Sequence, residues 1–157
     1  MPRFVATVNV SAPVAHVFDF FRNPANLVRL APPALQLQLE HGPQELQLGS
    51  RLTLSGRRWG VRYRSVTEVI AFEPGVLFVD EQKEGAFRRW VHTHRFEDLP
   101  TSGTRILDQI DYEPPGGLLG LVLTPAVVDR ELDEFFRYRN AKLAELLSGR
   151  QGPGEKE

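Results

Sequence analysis

The chain of 157 residues contains no cysteine, one methionine and two tryptophans. Without cysteine there is no disulfide framework, no thiolate zinc site and no cysteine nucleophile. A cytosolic address is the corresponding expectation. Charge of one sign is also missing: nineteen Lys and Arg stand against twenty Asp and Glu, for a formal charge of -1. A nucleic-acid-binding surface over the whole molecule is therefore not expected. Long apolar runs are lacking too. The longest, 118–128, is interrupted by Gly120, Thr124 and Pro125 and is too short to span a bilayer, and the first residues enter a strand pattern without a signal-peptide apolar region. Serine-nucleophile, phosphate-loop and dinucleotide signatures are absent.

What is present reads as one domain over 1–148 followed by a polar, glycine-containing tail, 149–157, expected to be disordered. Residues 3–10 alternate as a strand rich in β-branched residues. Ser11, before Ala12-Pro13, is a candidate cap for a helix over 13–22, and Asn23-Pro24 starts a second short helix that Pro32-Pro33 must end. Six strands follow, at 35–40, 50–58, 61–72, 76–82, 89–98 and 104–113, separated by Gly- and Pro-containing turns. Connections this short make neighbours antiparallel. Leu118–Leu123 suggests a turn or two of helix, Thr124-Pro125 starts a long one running to about Leu147, and Gly149 is its natural stop. The expected fold is thus α+β: a curved, seven-stranded antiparallel sheet, two short helices after its first strand, and a long C-terminal helix across its concave face.

Alternation assigns the inward face. On the fifth strand of the series Trp90, His92, His94 and Phe96 share a face free of arginine; on the sixth Ile106, Asp108, Ile110 and Tyr112 do; on the fourth Phe78, Asp80 and Gln82 do. Centring the turns near residues 86 and 101 places Gln82 opposite Trp90, Asp80 opposite His92, Phe78 opposite His94, His94 opposite Asp108 and His92 opposite Ile110. Opposed Cβ atoms lie within ~5.5 Å, so the expected pairs are Asp80–His92 and His94–Asp108. Four readings stay open for them: mutually satisfied structural pairs, polar anchors of an otherwise apolar ligand pocket, an acid–base dyad, or metal ligands. Nothing marks a nucleophile, and neither a metal nor another cofactor is expected. Arg51, Arg57, Arg58, Arg62 and Arg64 alternate with other residues as the solvated face of two strands, or as a docking face for a partner protein.

Particular strings carry a resemblance. Val17-Phe18-Asp19-Phe20-Phe21, Asn23-Pro24-Ala25-Asn26-Leu27, Phe78-Val79-Asp80-Glu81-Gln82, Trp90-Val91-His92-Thr93-His94-Arg95-Phe96 and Phe136-Arg137-Tyr138-Arg139, in that element order, resemble the START-like (SRPBCC) superfamily of Bet v 1-type allergens, lipid-transfer domains and polyketide cyclases. The resemblance implies a helix-grip fold over about residues 3–147 and a cavity between sheet and helix for a lipid-, quinone- or polyketide-like molecule. Its walls would be Tyr63, Phe78, Asp80, Gln82, Trp90, His92, His94, Phe96, Asp108, Ile110, Leu121, Val128, Leu132 and Phe136. Leu118, Leu121 and Val122 would belong to a lid, and residues 18–30 would brace the far end. The resemblance transfers no catalytic residue; the alternative to simple binding is a cyclase, dehydratase or isomerase working through an Asp–His pair.

Overall fold

The computed structural model describes residues 1–58 and 60–147. Trp59, Gly149 and the tail expected to be disordered lie outside the described residues. The elements are β1 (Arg3–Val10), α1 (Val14–Arg22), α2 (Pro24–Arg29), a single 3-10 turn (Pro33–Leu35), β2 (Gln38–His41), β3 (Arg51–Arg58), β4 (Val61–Glu73), β5 (Leu77–Glu84), β6 (Arg89–Leu99), β7 (Gly103–Glu113), α3 (Gly117–Val122) and α4 (Pro125–Leu147). All strands form one seven-stranded sheet in the order β1-β7-β6-β5-β4-β3-β2. β2 to β7 meander, and β1 returns to pair with β7. Every pairing is antiparallel.

Local chemistry explains most boundaries. The Asn23 side chain accepts from the Ala25 backbone N–H, and Pro24 fills the first turn of α2, where no N–H is needed. Thr124 Oγ1 accepts from Val127 N–H at the start of α4. Two expectations differ. Ser11 does not cap α1: Pro13 occupies that position without a side-chain hydrogen bond. The strand expected at 35–40 starts at Gln38, because Pro33–Leu35 wind into a 3-10 turn that ends at Gln36 with a positive φ of 47°.

The inward face of the sheet carries two apolar clusters. One gathers Phe18, Phe21, Phe78, Phe96, Ile106, Leu143 and Leu147, with α1 bracing it. Phe18 meets the rings of Phe72, Phe78 and Phe96. The other joins Ile110 and Tyr112 of β7 to Val128, Leu132 and Phe136 of α4. Helix α4 crosses nearest β1, where Phe136 packs on Phe4 with ring centres 5.4 Å apart.

The β6–β7 turn is sewn to the end of β1. Thr104 Oγ1 donates to Ala12 O at 2.8 Å, and Gly103 (φ 119°) packs so tightly that a Cβ would strike the Val10 carbonyl. Gly75, in the β4–β5 turn, also has positive φ (76°) but meets nothing within 4 Å. Gly103→Ala should therefore lose about 3 kcal/mol or more in urea unfolding, against roughly 1 kcal/mol for Gly75→Ala, whose cost is backbone strain alone. Equal losses would contradict the close approach.

Candidate functional site

A polar layer lies between the two apolar clusters. It comprises Asp80 from β5, His92 and His94 from β6, Asp108 from β7 and, from above, Arg139 of α4. The backbone register is the expected one: Asp80 opposite His92, Phe78 opposite His94, His94 opposite Asp108, His92 opposite Ile110. The hydrogen bonds are not. His92 Nε2 meets Asp108 Oδ1 at 2.8 Å and His94 Nε2 meets Asp80 Oδ2 at 2.8 Å, so each imidazole bonds to the carboxylate diagonal to it. An imidazole reaching through Nε2, an aspartate and the bond between them exceed the direct cross-strand spacing of ~5.5 Å and suit the diagonal of roughly 7–8 Å. The expected His94–Asp108 pair persists only as an ion contact, Nδ1 to Oδ1 at 3.3 Å, which leaves Nδ1 without a hydrogen bond.

Leaning diagonally also stacks the rings. His92 and His94 lie face to face with centres 3.7 Å apart. Phe78 covers the other face of His94 at 4.2 Å, and Phe136 meets His92 edge-on at 6.0 Å. The donor atoms of Asp80, His92 and His94 lie within 4.8 Å of one another, a separation a metal site requires. His92 Nε2 (2.8 Å) and His94 Nδ1 (3.3 Å) both face Asp108 Oδ1, and the Arg139 guanidinium stands 3.5 Å from the same oxygen. The arrangement is that of a hydrogen-bonded network.

Arg139 is the residue the sequence reading missed. It is 5% exposed, with its guanidinium over the rings of Phe21 (5.3 Å) and Phe136 (5.1 Å) and Nη2 3.5 Å from Asp108 Oδ1. The signal was available. Val128, Leu132, Phe136, Leu143 and Leu147 are the buried apolar face of α4, and position 139 falls on that stripe, three residues after Phe136 and four before Leu143. An arginine there has to be buried.

Charges in the layer shift one another. Burial pushes Asp108 up, but Arg139 and the two histidines outweigh it and hold the carboxyl well below the usual range. Burial is likewise outweighed at Asp80 by His94, leaving that carboxyl lowered. Burial lowers both histidines; at His94 two carboxylates overcome it and raise the group, whereas at His92 the neighbouring His94 charge adds to burial and the group stays lowered. The layer thus sets two carboxylates held in their charged form against one guanidinium, with His94 pushed toward its protonated form and His92 toward its neutral one.

The other expected pocket residues divide. Phe78, Phe96, Ile110, Val128, Leu132 and Phe136 are buried around the layer. Trp90 sits at one end against Phe87 and Tyr112. Tyr112, also on this face and fully buried, donates to Asp129 Oδ1 of α4 at 2.9 Å, and its phenol is raised by burial and that carboxylate. Three residues stand apart. Gln82 is not in register with Trp90: the β5–β6 ladder ends at Glu81–Val91, and the Gln82 amide turns back to Phe87 O at 2.8 Å. Tyr63 lies over Gly56 and is 37% exposed. Leu121, with Leu118 and Val122, is exposed on α3, so these residues do not close over the layer as a lid. Of the arginine series, Arg51 and Arg64 pair with surface glutamates, while Arg58 reaches Glu131 of α4 at 2.7 Å and ties the sheet to the helix.

The layer reaches solvent at two side chains, Asp80 (19% exposed) and His92 (11%). Surface depressions of about 630 Å³ (lined by Asp19, Asn23, Asn26, Gln44 and Glu45) and about 500 Å³ (Met1, Arg3, Arg89, Val91 and Asp111) lie elsewhere, and neither touches it. Around the layer the rings of Phe78, His92, His94 and Phe136 and the Arg139 guanidinium pack against one another. Arg139→Met should lower stability by about 3–5 kcal/mol, because it strands Asp108 as a buried charge, and adding Asp108→Asn should recover most of that loss. Urea unfolding of both variants decides it; a double variant as unstable as the single one would refute the charge argument.

Comparison with known proteins agrees with this architecture. An uncharacterised protein of Mycobacterium tuberculosis is 27% identical over 116 residues, which is 74% of this chain and 50% of the relative; the chain spans about half the length of the curated relatives it matches. Solved structures share the fold at low identity. A Thermus thermophilus protein superposes with a TM-score of 0.70 at 16% identity over 94% of this chain and all of its own. One from Chromobacterium violaceum gives 0.73 at 14%, covering 94% and 98%. The major latex-like protein 151 of Panax ginseng gives 0.64 at 16%, covering 90% and 96%. The family described as polyketide cyclase / dehydrase and lipid transport matches residues 1–147, and with this helix-grip architecture the chain belongs to that family.

Proposed function

We propose that this chain binds a small hydrophobic or amphipathic molecule, lipid-, quinone- or polyketide-like, between the sheet and α4, with the molecule's polar end against the layer. The observation that carries the reading is the layer itself: a polar stripe of Asp80, His92, His94, Asp108 and Arg139 inside an otherwise apolar grip, with hydrogen-bonding atoms left over. Ligand pockets combine an apolar wall with a few convergent polar groups in this way. Entry requires α4 or the rings beneath it to move, since the layer is covered and reaches solvent only at Asp80 and His92. No described helix is long and apolar enough to cross a membrane, and a cytosolic carrier is part of the same proposal.

Acid–base catalysis at the same place is the second reading, favoured by one observation. His92 meets Asp108 through Nε2, which leaves Nδ1 as the base of a ring that burial and the His94 charge push toward its neutral form, and Arg139 stands at the same aspartate to support a developing oxyanion.

Fatty acids, quinones and polyketides, screened by native mass spectrometry and thermal shift, test the binding reading. One equivalent per chain is expected, with a rise in Tm of roughly 5–10 °C at a hundredfold excess over Kd. No mass shift and no stabilisation from any class would overturn it. The same screen in D2O, read for exchange of protons next to a carbonyl, separates a carrier from a catalyst.

A further inference from the structure

Four of the buried side-chain atoms without a hydrogen-bond partner belong to the layer: Arg139 Nε, Arg139 Nη2, His94 Nδ1 and Asp108 Oδ2. Buried polar groups in folded proteins are almost always satisfied, so such a concentration points to a missing partner. Nε and Nη2 occupy one edge of the guanidinium and present two N–H donors side by side. Asp108 Oδ1 stands 3.5 Å from Nη2, an ion pair without a hydrogen bond, and Nε has no partner. The guanidinium lies over the rings of Phe21 and Phe136, and Arg139 is 5% exposed. The pair of donors is buried beside the layer.

Charge decides which acceptor suits it. Two carboxylates, Asp80 and Asp108, already share the layer with the one guanidinium. A ligand carboxylate would add a third buried anion next to Asp108, whose free Oδ2 would repel it. A carbonyl oxygen offers two lone pairs and no charge, so it can take both donors without adding an anion.

We propose that Arg139 recognises the polar end of the bound molecule, and that this end is an uncharged carbonyl, as in a ketone, quinone or ester, rather than a carboxylate. The proposal rests on the binding reading above and specifies its ligand class. A hydroxyl next to the carbonyl would find its acceptor in Asp108 Oδ2.

Undecan-2-one, 13C-labelled at its carbonyl, and decanoate, of nearly equal length, form the test on the full chain at neutral pH. The ketone should bind at least about tenfold more tightly than decanoate. Its carbonyl resonance should move downfield on binding, as it accepts from the guanidinium. The Arg139→Gln/Asp108→Asn double variant, which leaves neither charge buried alone, should lose the downfield shift and about tenfold of ketone affinity. If that variant does not fold, the wild-type resonance and the ketone-to-decanoate ratio remain decisive. Tighter binding of decanoate, or a bound ketone with an unshifted carbonyl, overturns this proposal alone. Binding of neither probe counts against the binding reading and takes this proposal with it.

Discussion

A carboxylate 1% exposed in the middle of a sheet has to be neutralised, and Asp108 organises the interior through that requirement. Removing an ionised group from water costs several kcal/mol unless charges and donors replace the solvent. Here His92 donates to one oxygen, Arg139 descends from α4 and His94 stands directly opposite on β6. Each partner then needs support of its own. His94 engages Asp80, and Arg139 needs the faces of Phe21 and Phe136. Strands β5, β6 and β7 and helices α1 and α4 are thereby tied to a single point, and the apolar interior is split into two clusters on either side of it.

That arrangement connects the fold to the proposed function. Members of this architecture grip a long helix across a curved sheet, and here the grip holds a layer of two carboxylates, two imidazoles and one guanidinium. Such a layer accepts an uncharged polar group more readily than a further anion, which is the basis of the ligand class proposed above. His92 holds a position of its own: shifted toward the neutral form where His94 is shifted toward the cationic one, and 11% exposed where His94 is 3%.

Much of this was legible in the residues. The alternation Trp90, His92, His94, Phe96 marked the inward face, and the lengths of the two turns placed Asp80 opposite His92 and His94 opposite Asp108. Register follows from turn length and pleat, both local properties. The hydrogen-bond partners were not legible, because they depend on ring stacking between His92, His94 and Phe78, a tertiary effect that sends each imidazole along the diagonal. Arg139 could have been read from its place on the apolar stripe of α4. Its partner could not, since nothing local says which strand a helix residue will meet. The opposite error occurred at α3, where Leu118, Leu121 and Val122 look like a lid by composition yet stand exposed. Hydrophobicity states a preference for burial; packing decides whether it is met.

The central claim is that two stacked imidazoles share one layer in different protonation states, and nitrogen NMR of the histidine rings across a pH titration tests it most directly. With His94 raised and His92 lowered from the usual value, the His94 ring should lose its second proton only above the normal histidine value. His92 should be an Nε2–H tautomer in its neutral form, taking up its second proton only below that value. The sign has a consequence for folding: the His94 contribution is complete below the unfolded-state value and is lost as pH rises through its folded value. Two rings titrating together at the ordinary histidine value, or His94 losing its proton below His92, would contradict this account of the layer.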